Sequence, residues 1–206
     1  MKKILAVDDE EDILFTLEAV ADVADLNMTT TSRGLKALKY IKNNKFDLLL
    51  VDYHMPDING LKLVKEIRKI DKEIPILVLT VDESMDLAEK FLKAGADDFA
   101  NKPIKTADLI SRINLHLNYN KSYKNADEKI KALNIPKGMT QKTLSIIYDY
   151  LTKIKKAETI EEISEGTNLA YQTVHRYLNY IADENLVKVK LNYGKVGRPI
   201  HRYKLN

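Results

Sequence analysis

Over residues 1–119, short apolar runs alternate with longer amphipathic stretches, and this rhythm constrains the fold more than any other feature. Ile4-Leu5-Ala6-Val7, Phe46–Val51, Ile76–Leu79 and Phe99-Ala100 are nearly continuous in apolar residues, and Met28–Thr31 is a weaker, β-branched run. Such runs suit strands buried on both faces, as in a parallel sheet covered by helices. Between them, Ile13–Val23, Leu35–Ile41, Leu61–Ile70, Met85–Leu92 and Leu109–Leu117 repeat apolar residues three or four apart, the helical period. Gly95 follows Phe91-Leu92-Lys93-Ala94 as a natural C-terminal cap. Five strands alternating with five helices predict an α/β domain with a five-stranded parallel, doubly wound sheet.

The chain has 206 residues, room for two small domains, with 45% hydrophobic and 31% charged residues. It contains no cysteine, which excludes disulfide scaffolds, thiolate zinc sites and cysteine nucleophiles. No apolar run approaches the roughly 18 residues of a membrane span, and the run after Lys2-Lys3 meets acid at Asp8. The expectation is a cytoplasmic protein with no membrane partner. Charge is divided unevenly. Residues 1–120 carry 17 Lys and Arg against 21 Asp and Glu, net −4, while residues 121–206 carry 16 against 9, net +7. An acidic part joined to a basic part predicts two domains with different partners, the basic one facing a polyanion.

Residues 120–137 are polar and Lys-rich, punctuated by Pro136, and read as a linker between a domain at 1–119 and one at 138–206. The second domain has its own grammar. Thr140–Ile154 carries Leu144, Ile147, Tyr148 and Leu151 on one helical face. Thr159-Ile160-Glu161-Glu162 has capping-box spacing and opens a short helix broken at Gly166-Thr167-Asn168. A helix over Ala170–Ala182 follows at once, so the pair predicts a helix-turn-helix. Leu186–Leu191 alternates apolar and basic residues, 192–199 can turn, and Ile200–Leu205 can return as a hairpin. A helix-turn-helix with a hairpin behind it is a winged helix.

Asp8 and Asp9 end the first predicted strand, and Asp52 ends the third. Ligands of parallel α/β sheets sit beyond the carboxyl ends of the strands, near the point where strand order reverses. Three carboxylates gathered there repel one another, so a divalent cation is the natural counter-charge, and carboxylates with water and a phosphate oxygen suit Mg²⁺. Thr80 ends the fourth strand and Lys102 follows the fifth. An acid as nucleophile, a cation and an ammonium against negative charge, and a hydroxyl donor together can hold a phosphoryl group on Asp52.

Residues 1–119 resemble the receiver domain of two-component response regulators, a flavodoxin-like fold. The resemblance is carried by Asp8-Asp9, the stretch Val51-Asp52-Tyr53-His54-Met55-Pro56-Asp57-Ile58-Asn59-Gly60, Thr80 and Lys102-Pro103. It implies that Asp52 is phosphorylated by a sensor histidine kinase, that Asp9, Asp52 and the backbone carbonyl of His54 ligate Mg²⁺, and that Asp8 acts through water. It further implies a cis peptide at Lys102-Pro103 and a switch in which Thr80 moves and the ring of Phe99 swings inward. Phe99 lacks the hydroxyl of the tyrosine common in relatives, so switching here would rest on packing.

In the second predicted helix of the pair, Leu169, Val174, Leu178 and Ile181 form an apolar stripe, leaving Tyr171, Gln172, Thr173, His175 and Arg176 for a DNA groove. Gln172 suits adenine, and Arg176 guanine or phosphate. Lys195, Arg198, Arg202 and Lys204 in and after the turn suit phosphate contacts. Thr173-Val174-His175-Arg176-Tyr177-Leu178 with Tyr193-Gly194-Lys195-Val196-Gly197-Arg198-Pro199 resembles the output domain of CitB-like regulators. Ala170 and His175 depart from the Ser and Arg frequent there. The joint resemblance implies a regulator that binds promoter DNA, as a homodimer when phosphorylated or on DNA, and controls citrate, malate or C4-dicarboxylate genes. It implies no metabolic enzyme, only phosphoryl acceptance and slow hydrolysis. The alternative is a phospho-carrier or adaptor whose C-terminal domain binds a protein.

Overall fold

The computed structural model describes all residues except 83, 123–129, 131, 132, 137, 155 and 193–198, and describes only the backbone of 85 and 118–122. Two compact units are present, Met1–Asn118 with Pro136–Thr140, and Tyr119–Ile135 with Gln141–Asn206.

The first unit runs β1 (Lys3–Val7), α1 (Glu11–Val23), β2 (Asn27–Thr31), α2 (Gly34–Asn43), β3 (Leu48–Asp52), α3 (Gly60–Ile70), β4 (Ile76–Thr80), α4 (Met85–Ala94), β5 (Asp98–Asn101) and α5 (Thr106–Ser122). All pairings in its sheet are parallel, in the order β2-β1-β3-β4-β5. Strands β3 and β4 are buried at every position, which their unbroken apolar runs anticipate. Side chains alternate across the sheet. Ile4, Ala6, Leu48, Leu50, Leu77 and Leu79 pack with Leu14, Leu17 and Val20 of α1 and Leu109 and Ile113 of α5. The strand residues between them face the other layer, where Leu63, Val64 and Ile67 of α3 and Phe91 and Leu92 of α4 are buried. The strand order reverses between β1 and β3, so the crevice beyond their carboxyl ends is the expected ligand position. Asp8 and Asp52 stand there.

Phe46 stays outside β3, which begins at Leu48 after Asp47 binds Lys2 and the amide of Lys3. Gly95 caps α4 in the left-handed region (φ 112°), as its position in the sequence predicts. Residues 136–140 rejoin this unit. The Thr140 hydroxyl donates to Asp97 (2.8 Å), whose other oxygen accepts from Arg68 (2.8 Å) and the amide of Ile76 (2.9 Å).

The second unit contains α6 (Gln141–Lys153), α7 (Ile160–Thr167), α8 (Tyr171–Asp183), β6 (Val187–Asn192) and β7 (Ile200–Leu205). Its core gathers Leu144, Ile147, Leu151, Ile163, Leu169, Val174, Tyr177, Leu178 and Ile181. The capping box forms as its spacing predicts, Thr159 accepting from the Glu162 amide and Glu162 from the Thr159 amide. The helix breaks within the expected Gly166-Thr167-Asn168, at the last of the three. It continues to Thr167 and stops at Asn168 in the left-handed region (φ 57°). Gly166 is needed for another reason, since a Cβ there would run into the ring of Tyr150. That ring reaches Glu158 (2.7 Å), and burial together with this carboxylate pushes the Tyr150 phenol up to about 12. Glu158 also exchanges backbone hydrogen bonds with Tyr203, fastening the β6–β7 hairpin to the helices.

Candidate functional site

The acidic crevice is assembled from two strand ends. Asp8, at the end of β1, is 1% exposed, and Asp52, the last residue of β3, is 3% exposed. Asp9 is exposed, and one oxygen of each of the three carboxylates lies within 4.8 Å of the others. Two loops hold them in place. The Glu10 amide donates to Asp8 Oδ1 (3.1 Å), and the His54 amide donates to Asp52 Oδ2 (2.5 Å).

Lys102 supplies the counter-charge. Its Nζ lies 2.6 Å from Asp8 Oδ2, 2.8 Å from Asp52 Oδ1 and 3.7 Å from Glu10 Oε1. The side chain is 8% exposed, and the Lys102-Pro103 bond that follows it is cis, as the resemblance implies. Burial by itself would lower the Lys102 pKa, but the carboxylates of Asp52 and Asp8 outweigh it and hold the ammonium above its ordinary value. Asp8 shows the opposite balance. Its burial raises the carboxyl pKa more than Lys102 and the Glu10 amide lower it. Desolvation is the main cause, and the charge of Asp52 adds a smaller push in the same direction. An all-oxygen donor set of this kind fits a hard divalent cation.

Thr80 closes β4, 2% exposed, with its hydroxyl accepting from the Asp82 amide (3.1 Å). Its carbonyl accepts from the Lys102 amide (2.8 Å), so the hydroxyl and the ammonium belong to one hydrogen-bonded edge. Phe99 lies on β5. It is 4% exposed, its ring already inward and edge-on to Phe91 of α4 at 6.2 Å. Phe91 meets Tyr53, next to Asp52, at 5.6 Å, so an aromatic file runs from the acidic loop through α4 to β5. The Tyr53 and His54 rings also touch, their centroids 4.6 Å apart.

Two residues of the stretch that carries the resemblance, Gly60 and Asp57, have roles that the sequence does not assign. A Cβ on Gly60 would collide with the Asp52 carbonyl, so glycine lets the start of α3 fold back against the acceptor residue. Asp57 accepts from the amides of Gly34 (3.1 Å), Leu35 (3.0 Å) and Ile58 (2.9 Å), and so caps α2 from the β3–α3 loop. The available signal was Arg33, an N-cap residue with no capping side chain.

In the second unit α7 and α8 form the predicted helix pair, joined at Asn168-Leu169-Ala170, with the Ser164 hydroxyl donating to the Leu169 carbonyl (2.6 Å). On α8, Tyr171 is exposed and stacks on His175 (6.1 Å between centroids), while Gln172, His175 and Arg176 are half-buried. Thr173 is a correction. It is fully buried, because the inward stripe holds Thr173, Val174, Tyr177, Leu178 and Ile181, and it has no surface to offer a groove. The hairpin register sets Lys188 opposite Lys204 and Lys190 opposite Arg202. Like charges directly opposite destabilise a ladder, a repulsion that a nearby anion relieves. Arg202 answers it internally, donating to Glu162 (2.8 Å) and the Ala157 carbonyl (3.1 Å), whereas Lys188, Lys190 and Lys204 stay exposed. Lys195 and Arg198 lie outside the described residues. Among the described residues no helix is long and apolar enough to cross a membrane.

Comparison with known proteins agrees with this geometry. The family described as "Response regulator receiver domain" matches residues 4–114, just over half of the chain. A protein of Halalkalibacterium halodurans named "Probable C4-dicarboxylate response regulator DctR" is 30% identical, over 85% of this chain and 83% of its own length. Its namesake in Bacillus subtilis is 26% identical over 98% of this chain and 96% of its own. Among solved structures, the receiver domain of the Francisella response regulator 1452 matches with TM-score 0.56 and 29% identity, covering 59% of this chain and all of that one. The receiver domain of the sensor histidine kinase PA1611 of Pseudomonas aeruginosa, solved with magnesium in its active-site cleft, matches with TM-score 0.54 and 26% identity, over 56% of this chain and 97% of that one. The chain belongs to the response regulators, and residues 4–114 are its receiver domain.

Proposed function

We propose that this response regulator accepts a phosphoryl group on Asp52 from a sensor histidine kinase and, so modified, binds promoter DNA in the cytoplasm to control carboxylate genes. The observation that carries the reading is the buried Asp8–Lys102–Asp52 arrangement at the switch point of the sheet. Asp9, Asp52 and the His54 carbonyl would hold Mg²⁺, with Asp8 through water, and the ion would neutralise phosphoryl oxygens. An Asp52 carboxylate oxygen forms the new bond to phosphorus as the bond to the kinase histidine nitrogen breaks. Lys102, ammonium at any physiological pH, pairs with the added charge, and the Thr80 hydroxyl donates to a phosphoryl oxygen. The protein is a switch rather than a metabolic catalyst, and hydrolysis of the acyl phosphate resets it. Relatives named for C4-dicarboxylates, and one named "Transcriptional regulatory protein MalR", support the assignment to carboxylate genes.

The domain plan is a receiver at 1–119, a linker at 120–137 and a winged helix-turn-helix at 138–206, corrected in that residues 136–140 pack with the receiver unit. Gln172, His175, Arg176 and Tyr171 would face the major groove, with Lys188, Lys190, Lys204 and the turn residues Lys195 and Arg198 toward phosphates. Phosphorylation would favour a homodimer that spans paired half-sites. Titration of promoter fragments with and without beryllofluoride tests this. The expected result is tighter, dimeric, salt-dependent binding with the mimic, and a loss of about 1–3 kcal/mol of specific binding in Arg176→Ala. Negligible or salt-insensitive DNA affinity would instead favour the adaptor, and unchanged affinity and oligomeric state would refute the switch.

A further inference from the structure

We propose that Asp57 is a positioning residue for phosphoryl acceptance, acting through the β3–α3 loop, residues 53–59. The proposal rests on the reading of Asp52 as acceptor. The loop touches the acceptor directly, because its His54 amide donates to Asp52 Oδ2 at 2.5 Å. A backbone amide aimed at a carboxylate oxygen is useful only while the loop keeps its shape, and two separate fastenings keep it. At the α3 end, the Gly60 amide donates to the Tyr53 carbonyl (2.9 Å), with Gly60 packed against the Asp52 backbone.

At the far end the fastening is Asp57. Its Oδ1 accepts from Gly34 and Ile58 and its Oδ2 from Leu35, so one carboxylate spans the loop and the first turn of α2. The contact is close. A Cβ on Gly34 would overlap the Ile58 side chain, and Met55 and Ile58 are each less than 10% exposed beneath the loop. Burial acts to raise the Asp57 pKa, but the amides of Leu35, Gly34 and Ile58 outweigh it and hold the carboxyl below its usual range. Asp57 is therefore an anion at neutral pH, placed where a helix N-terminus favours one.

A cap serving α2 alone would sit at residue 33, where Ser, Thr, Asp or Asn is preferred. That position holds Arg33, extended and without a capping bond. The cap comes instead from the segment whose neighbouring amide binds the acceptor, so stabilising α2 and fixing His54 are one act.

The experiment separates these two effects. Asp57→Ala, Asp57→Asn and the double variant Arg33→Asp/Asp57→Ala are compared with wild type in the full chain. Three quantities are read: thermal midpoint, hydrogen exchange of the His54 amide, and the rate of phosphorylation by acetyl phosphate with Mg²⁺, followed by intact mass. Asp57→Ala is expected to lower the midpoint, speed His54 exchange and slow phosphorylation about tenfold, the usual scale for groups that support a reacting residue. Asp57→Asn, which keeps one acceptor oxygen, falls between. The double variant recovers the midpoint, because α2 regains a cap, but neither His54 protection nor rate. Recovery of all three would overturn the proposal by reducing Asp57 to a helix cap, as would unchanged exchange and rate in Asp57→Ala. A wild type that takes no phosphoryl group would refute the reading of Asp52, while His54 exchange would still decide whether Asp57 holds the loop.

Discussion

The ammonium of Lys102 is shared by two carboxylates that belong to different strands, 2.6 Å from Asp8 and 2.8 Å from Asp52. Each of the three residues occupies the end of an apolar run or the loop just past one, which is why sequence alone could bring them together. Run ends map to one edge of a parallel sheet whatever the loop lengths. Gly60 obeys a different logic. Nothing in its sequence neighbourhood says that a helix must start against the Asp52 carbonyl, and only the folded backbone shows that no Cβ fits. Gly60→Ala sets a methyl group against main chain, which no rotamer change relieves. The expected cost is about 1–3 kcal/mol in urea unfolding, the range for overpacking, together with slower phosphorylation of Asp52. A fully stable, fully reactive Gly60→Ala would show that α3 can shift freely relative to the acceptor.

At the scale of elements, helix ends show where pattern reading succeeds and where it stops. The capping box of α7 and the glycine cap of α4 are local, written within four residues, and both form. The cap of α2 is not local. Asp57 reaches it from 23 residues away, and no spacing rule connects them. The stripe expected for α8 is two positions short of the buried one. Tyr177 joins it, fully buried, and Thr173 lies one turn before Tyr177 on the same face, so both go inward. The hairpin is legible as an alternating strand and a returning one, but its cross-strand pairs of basic residues depend on a register that the turn decides. These caps, with the Asp47–Lys2 pair, also shape the acid response. Asp57, Asp47 and Glu162 all have folded-state pKa values below their ordinary ones; burial opposes the shift at Asp57 and Asp47, and bonds to amides, Lys2 or Arg202 produce it. Their stabilisation is therefore complete above the unfolded-state values of about 4 and is lost as pH falls through the lower folded-state values. Thermal midpoints followed by circular dichroism should hold from neutrality to about pH 5 and drop below about pH 4. Asp57→Asn should flatten that drop, and an unchanged acid slope would mean that the Asp57 carboxylate is not ionised at its cap.

For the whole molecule, the charge division of the sequence is realised as two units with different surfaces: a receiver whose acids converge on one crevice, and a winged helix pair whose hairpin gathers cations. The central claim joins them through a single covalent event at Asp52. Intact-mass measurement after incubation with Mg²⁺ and acetyl phosphate tests it most directly. Wild type should gain one phosphoryl mass that is lost on hydroxylamine treatment, as an acyl phosphate is, and Asp52→Asn should gain none. Addition of the same mass to Asp52→Asn, or no addition to a folded, Mg²⁺-supplied wild type, would contradict the account.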